Sequence, residues 1–388
     1  MAVRPVIALL GGGQLGRMFI ENALRYDVQV HVLDPDPDCP CARIATHFTQ
    51  GRFDDRDTVL RFAQDADVVG IEIEHVSTEA LEQLQGLGKA VIPDPGTLRT
   101  IQDKGLQKQF YLDHGIPTEA FTLLDDGRDL VRYPALLPGF LKSCTGGYDG
   151  KGVMPVLGPE DAKRAFIGPC VLEKRSDIAL ELAVLVVRSA NGEQAVYDPV
   201  EMVFDPRYNL VDHLRAPARM AHTVNEGAKH LALRIAEAFG TPGLYAVELF
   251  LTTDGRLLVN ETAPRAHNSG HHTIEACASS QFDQLLRLYT GLPLGDTALR
   301  GHAAMINLVG EGGSGPADLM GLEEALRIPG TFLHLYGKKE TRTGRKMGHI
   351  TVMAADDTAL DRAIALVKAH VHVRPRRAQV ITSTNKPH

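Results

Sequence analysis

Two glutamates supply the first chemical hint. Residues 244–251 and 256–261 are strand-like apolar runs joined by Thr-Thr-Asp254-Gly255, a turn sequence typical of a tight β-hairpin. With Asp254 and Gly255 as its two central residues, counting outward along both strands sets Glu248 directly across from Glu261. Carboxylates facing each other on one side of a ladder repel unless something positive lies between them. A divalent cation that prefers oxygen, Mg²⁺ first, is the economical answer. A bulge that slipped the register would instead leave both side chains in solvent.

Ala263-Pro-Arg265-Ala-His267-Asn268-Ser269-Gly-His271 follows Glu261 at once. Arg, His, Asn and Ser crowded beside paired carboxylates look like an anion site, although His271 alone reads equally well as a buried structural histidine. Lys142-Ser-Cys-Thr-Gly-Gly147-Tyr148-Asp149-Gly150-Lys151-Gly152 places glycine N–H groups between lysines, which suits an anion. Its spacing is not that of a Walker loop, and a flexible surface hairpin is the bland alternative. Gly11-x-Gly13-x-x-Gly16, with Asp34 ending the next apolar run, meets the letter of a dinucleotide fingerprint. The same pattern serves any anion or ribose near a helix N-terminus, so a nicotinamide cofactor is the weaker reading. Lys338, Lys339, Arg342, Arg345 and Lys346 stand against Glu340 alone, either as a solvated loop or as a clamp for a substrate phosphate.

These groups need a scaffold. A chain of 388 residues holds two or three domains at about 150 residues each, with cores that need no covalent staples. The net charge of −7 offers no global basic field for nucleic acid or an anionic membrane. Five cysteines without C-x-x-C spacing, and no leader-like or spanning apolar run, point to a reduced, cytoplasmic setting. Strand, glycine turn, helix and strand follow one another through Asp34, and further strands end at Glu74 and near residue 93. This predicts a parallel, doubly wound domain over residues 1–95. Residues 94–97 read as a loop, followed by one helix over 102–114 that Gly115 stops. Short strands at 140–142, 153–157 and 170–174 predict a small lid-like α+β unit within 96–184. The third unit, 185–388, is led by a long strand near 178–189. In it Ala228, Leu231, Ala232, Ile235, Ala236 and Phe239 recur at helical spacing up to Gly240.

Read in order, Gly11-Gly-Gly-Gln14-Leu15-Gly-Arg-Met18, Gln102-Asp-Lys104 with Gln107-Lys108, Gly146-Gly-Tyr-Asp-Gly-Lys-Gly152, the stretch from Asn260 to His271, Ser280-Gln-Phe282, Gly291-Leu-Pro-Leu294 and Gly344-Arg-Lys-Met-Gly-His349 resemble the N5-carboxyaminoimidazole ribonucleotide synthases, ATP-grasp ligases of purine biosynthesis. The likeness covers nearly the whole chain. It implies a mixed α/β and α+β ATP-grasp fold: a doubly wound pre-ATP-grasp domain, a lid subdomain and a C-terminal antiparallel-sheet domain. It further implies a cytoplasmic homodimer that binds neither nucleic acid nor membrane. The implied reaction is biotin-free: ATP and bicarbonate carboxylate 5-aminoimidazole ribonucleotide through carboxyphosphate. By position, Lys104 and Lys142 would hold ATP phosphates under a lid of Gly147, Tyr148, Asp149, Gly150, Lys151, Gly152 and Val153. Glu173 and Lys174 would meet the adenine edge, Glu181 the ribose, and Asn260 the nucleotide. Glu248 and Glu261 would carry Mg²⁺, with Mn²⁺ an alternative. Arg265, His267, Asn268 and Ser269 would bind bicarbonate. Lys338, Arg345 and Lys346 would take the ribonucleotide phosphate, and Gly13, Gln14, Leu15 and Glu74 would border that substrate. Phe204 departs from the resemblance, standing where the family commonly has a histidine near the nucleotide. Other readings are a formate- or amino-acid-dependent ligase of the same fold, an NAD-dependent dehydrogenase, and a nucleotide sensor without turnover.

Overall fold

Val6–Leu10 is almost wholly buried, as a strand covered by helices on both faces must be. In the computed structural model, which describes residues 5–147, 152–207 and 210–376, this strand lies parallel between Gln29–Asp34 and Val68–Ile71. His47–Gln50 and Ala90–Ile92 complete the five-stranded sheet as its edges. His47–Gln50 was not expected; it is polar and partly exposed, so no apolar run announces it. The strand order reverses at Val6–Leu10, and a crevice opens at the carboxyl ends of the strands there. The glycine turn and Glu72 to Glu74 lie at that crevice.

The expected loop at 94–97 and single helix at 102–114 are both corrected. Asp94 accepts the N–H groups of Gly96 and Thr97 and Pro95 takes the first helical position, so a helix, Pro95–Gln102, starts there. Asp103 then caps a second helix, Lys104–Asp113, by accepting from Gly105 and Leu106. The break sets Lys104 at a helix N-terminus pointing into the interior cleft.

A four-stranded antiparallel sheet forms the lid unit, in the order Phe121–Leu124, Cys170–Lys174, Gly139–Ser143, Val153–Val156. The nine-stranded sheet of the remaining chain begins with Ile178–Arg188, so residue 184 lies within a strand and the lid unit ends before Ile178. Against this sheet packs His222–Phe239, burying Ala228, Leu231, Ala232, Ile235 and Ala236 and closed by left-handed Gly240. Each fully buried Leu or Ile contributes about 1.5–3 kcal/mol. On the C-terminal side, Arg215 is 1% exposed. It reaches Asp357 and Asp361 and ties the helix Asp357–His370 to the sheet. All five cysteines are buried and free, and among the described residues no helix is long and apolar enough to cross a membrane.

Candidate active site

Glu248 faces Glu261 across the strands Gly243–Thr252 and Leu257–Ala263. The route to that alignment differs from the two-residue turn. Leu251 pairs with Leu257, Phe250 with Leu258 and Leu249 with Val259, a register one residue off the one that joins the glutamates. The tip is a three-residue loop closed by Thr252, whose Oγ1 bonds Asp254 and accepts the Arg256 N–H at 2.9 Å, with Gly255 at φ +85°. A bulge between Leu249 and Glu248 leaves Asn260 as the extra residue and restores the pairing. In a regular strand Asn260 and Glu261 would point to opposite faces. The bulge turns both into one cleft, where Asn260 donates to Glu248 Oε2 at 3.2 Å and accepts from Lys142 Nζ at 3.0 Å.

The two carboxylates share this cleft unequally. Burial and the charge of Glu261 push Glu248 well above the carboxylate range. Lys104, with Nζ 2.6 Å from Glu261 Oε2, holds Glu261 low. Lys142 reaches Glu173 at 2.8 Å, and Lys108 reaches the same carboxylate at 3.0 Å. Glu173 is only 4% exposed between them, its carboxylate held by both lysines. Burial disfavours its charge, but the two lysines outweigh that and hold it ionised. Lys174 is exposed at the strand end, and Glu181, raised by burial, lies on the next strand in sequence, in the large sheet. Tyr148, Asp149, Gly150 and Lys151 lie outside the described residues. The flanks of that loop meet: a Cβ on Gly152 would come 3.1 Å from Gly147 Cα, and Val153 pairs with Lys142.

On the other wall, Arg265 Nη2 is 2.7 Å from Glu74 Oε1. His267 accepts the Ser269 N–H at Nδ1 over 3.3 Å, which leaves the proton on Nε2, 3.7 Å from Glu248 Oε1. Burial, with Arg265 and Lys346 nearby, drives His267 down to about 3, so the ring is a neutral hydrogen-bond donor toward the carboxylates. Lys338 donates to the Lys346 carbonyl at 2.8 Å, beside the start of the strand Lys346–Ala354. Arg345 donates to Glu340 O at 2.8 Å near the surface. Phe204 stands at the register shift between the strands Val200–Asp205 and Leu210–Ala216.

Three residues to which the motifs assigned no role join the site. Lys108 completes the buried Glu173 pair. Arg17 sends its guanidinium toward Gly337, where a Cβ would be 3.1 Å from Nη1. Glu72 turns back into the glycine turn: Oε1 accepts the Leu15 N–H at 3.1 Å, and a Cβ on Gly13 would come within 2.4 Å of it. The anion cradle of the turn thus holds the protein's own carboxylate, pushed up to about 7 by burial against the pull of Arg265. This is a poor receptacle for a dinucleotide pyrophosphate.

Among the described residues no three His, Cys, Asp or Glu side chains are grouped to hold an ion unaided. Two carboxylates beside an amide oxygen fit a hard divalent cation that takes its other ligands from phosphate and water.

Comparison with known proteins agrees with this layout. The ribonucleotide synthetase preATP-grasp domain family matches residues 5–102, the ATP-grasp domain family residues 109–282, and the phosphoribosylaminoimidazole carboxylase C-terminal domain family residues 303–363. The N5-carboxyaminoimidazole ribonucleotide synthase of Bacillus subtilis is 36% identical over 356 residues, 90% of this chain and 91% of that one. The chloroplastic phosphoribosylaminoimidazole carboxylase of Vigna aconitifolia is 37% identical over 93% of this chain but only 66% of its own length. Among solved structures, the N5-carboxyaminoimidazole ribonucleotide synthetase of Thermotoga maritima superposes with a TM-score of 0.89 at 39% identity, covering 96% of this chain and 100% of that one. The Aspergillus clavatus N5-carboxyaminoimidazole synthase, solved with ADP and 5-aminoimidazole ribonucleotide, gives 0.86 at 35% identity over 95% of this chain and 100% of that one.

Proposed function

The chain belongs to the N5-carboxyaminoimidazole ribonucleotide synthases, ATP-grasp enzymes of purine biosynthesis, and on that premise we propose that its cleft carboxylates the exocyclic amine of 5-aminoimidazole ribonucleotide with ATP and bicarbonate. One observation carries the reading: Glu248 and Glu261 face each other where Lys104, Lys142 and His267 converge.

In this reading Lys104 and Lys142 exchange their present carboxylate and amide partners for ATP phosphates. Gly147, Gly152 and Val153 lie beside those phosphates, Glu173 and Lys174 frame the adenine, and Glu181 meets the ribose. Glu248 and Glu261, supported by Asn260, hold Mg²⁺, which when bound neutralises charge on the transferring phosphoryl group. Arg265, His267, Asn268 and Ser269 orient bicarbonate in line with the γ-phosphorus. The neutral His267 supplies a directional hydrogen bond without adding charge. Carboxyphosphate is labile in water, so the lid must exclude solvent before it forms. Lys338, Arg345 and Lys346 grip the ribonucleotide phosphate, and Gly13, Gln14, Leu15 and Glu74 close the acceptor side. His271, 1% exposed and fixed by Gln281, takes the structural role. The working form is a cytoplasmic homodimer, which sedimentation of the purified protein would test.

Phosphate release measured with ATP, bicarbonate and ribonucleotide each omitted in turn tests the reading. Full rate should need all three, and a rate indifferent to the ribonucleotide would sink it. Lys346→Ala should raise KM for the ribonucleotide by about ten-fold or more while KM for ATP moves little, because a substrate-phosphate contact is lost. The reverse pattern would mean that the two anion sites are exchanged.

Glu248 must be ionised to act as a ligand, and its pKa is raised. Apparent Mg²⁺ affinity should therefore weaken as pH falls through that raised pKa, by up to about ten-fold per pH unit below it. Titrating Mg²⁺ by calorimetry in the presence of a non-hydrolysable ATP analogue, at about pH 8.5 and about pH 6.5, checks this. Equal affinities would remove Glu248 from the metal site.

A further inference from the structure

Asn307, His349 and His334 lie in one cross-strand row. Asn307 pairs in register with His349, and His349 with His334, so all three share a face of the large sheet. Each meets one residue of the segment 268–275. Asn307 and Asn268 exchange two amide hydrogen bonds of 2.9 and 3.0 Å. The His349 ring stacks on His271 with centroids 4.9 Å apart. His334 Nε2 lies 2.7 Å from Glu275 Oε1. Positions 268, 271 and 275 recur at helical spacing, along the short helical turn Asn268–Gly270 and the helix Thr273–Ala276.

The row is itself locked. His334 and His349 stack at 4.4 Å, and Tyr336 Oη bonds His349 Nδ1 at 2.9 Å. Asn307 also donates to Val211 O at 2.7 Å. On the opposite side, Gln281 donates to His271 Nδ1 at 3.0 Å and pins the His267 N–H and C=O at 2.9 Å each. His349 is 0% and Asn307 8% exposed. Apolar side chains would fill this space with less desolvation penalty, but they could slide; the reciprocal amide pair of Asn268 and Asn307 and the stacked rings fix one geometry, although among the described residues His349 Nε2 and Glu275 Oε2 are left without hydrogen-bond partners.

We propose that Asn307 and His349 are positioning residues for carboxyl transfer. The row holds the segment bearing Arg265, His267 and Asn268 at a set distance from the strand that begins with Lys346, so that the activated carboxyl group is released beside the amine. This rests on the assignment of bicarbonate to Arg265, His267 and Asn268. When the spacing is lost, water replaces the amine: carboxyphosphate hydrolyses to bicarbonate and phosphate, and ATP is consumed without product.

The test compares Asn307→Ala, His349→Ala and His349→Phe with Asn268→Ala, measuring phosphate released per carboxylated ribonucleotide formed. Asn307→Ala should raise KM for bicarbonate by about ten-fold or more, as expected when the Asn268 amide loses both of its hydrogen bonds to Asn307. It should also lift the phosphate-to-product ratio clearly above unity, with KM for ATP nearly unchanged. His349→Phe keeps the stacked ring and should stay closer to the parent ratio than His349→Ala. If His349→Ala does not fold, Asn307→Ala and His349→Phe still decide. A tight ratio and normal bicarbonate KM in folded Asn307→Ala, with Asn268→Ala impaired, overturn the positioning role. An unimpaired Asn268→Ala overturns the bicarbonate assignment beneath it.

Discussion

Glu261→Gln should stop turnover while leaving the protein folded. Gln keeps the shape but removes the charge that Lys104 approaches at 2.6 Å and that faces Glu248 across the ladder. With one of two carboxylates gone, the cation site loses half its protein charge, and kcat should fall about 10³-fold or more, the scale of a lost electrostatic contact to a transferring group. Stability should change little. The Glu261 side chain is 42% exposed in the cleft, and removing a like-charge neighbour relieves Glu248, whose carboxyl should return toward its ordinary range. Phosphate release and a thermal melt on the same sample check both halves. A near-normal rate would put the cation elsewhere.

Arg265→Lys should lower kcat/KM for bicarbonate about 100-fold, because lysine keeps the charge but loses the planar fork. Arg265 now spans Glu74 through Nη2 and Ala266 O through Nη1, at 2.7 and 2.9 Å. One ammonium cannot hold those partners and also present two parallel donors to a planar anion. Initial rates against bicarbonate at saturating ATP measure the loss. If KM for the ribonucleotide moved instead, Arg265 would belong to the acceptor side of the site.

Local patterns made much of this legible. The helix with Ala228, Leu231 and Ile235, the parallel sheet begun by Val6–Leu10, and the residues 263–271 follow from periodicity and adjacency. The Glu248–Glu261 alignment was reached through a turn that the protein does not use, because the wider tip and the bulge at Asn260 offset each other. Asp103 as a cap inside a continuous helical pattern was not legible, since its neighbours keep the same spacing on either side. Nor was the Lys108–Glu173–Lys142 cluster, whose members come from one helix and two strands and meet only through tertiary packing. Glu72 follows an apolar strand like any solvent-facing acid, and only the close approach of Gly11 and Gly13 shows it folding back. The row of Asn307, His349 and His334 depends on the registers of three strands at once, which no local spacing encodes.

The offset at Asn260 divides the hairpin into two regions with different tolerance to length change. Outward of it, lengthening or trimming the tip around Thr253 to Gly255 would remodel only a solvent-facing end. Deleting Asn260 itself would close the bulge: Glu261 would follow Val259 directly and still stand across from Glu248, but the amide that donates to Glu248 and accepts from Lys142 would be gone. A change in chain length that the outer end absorbs would, a few residues inward, take away the residue that links Lys142 to the paired carboxylates.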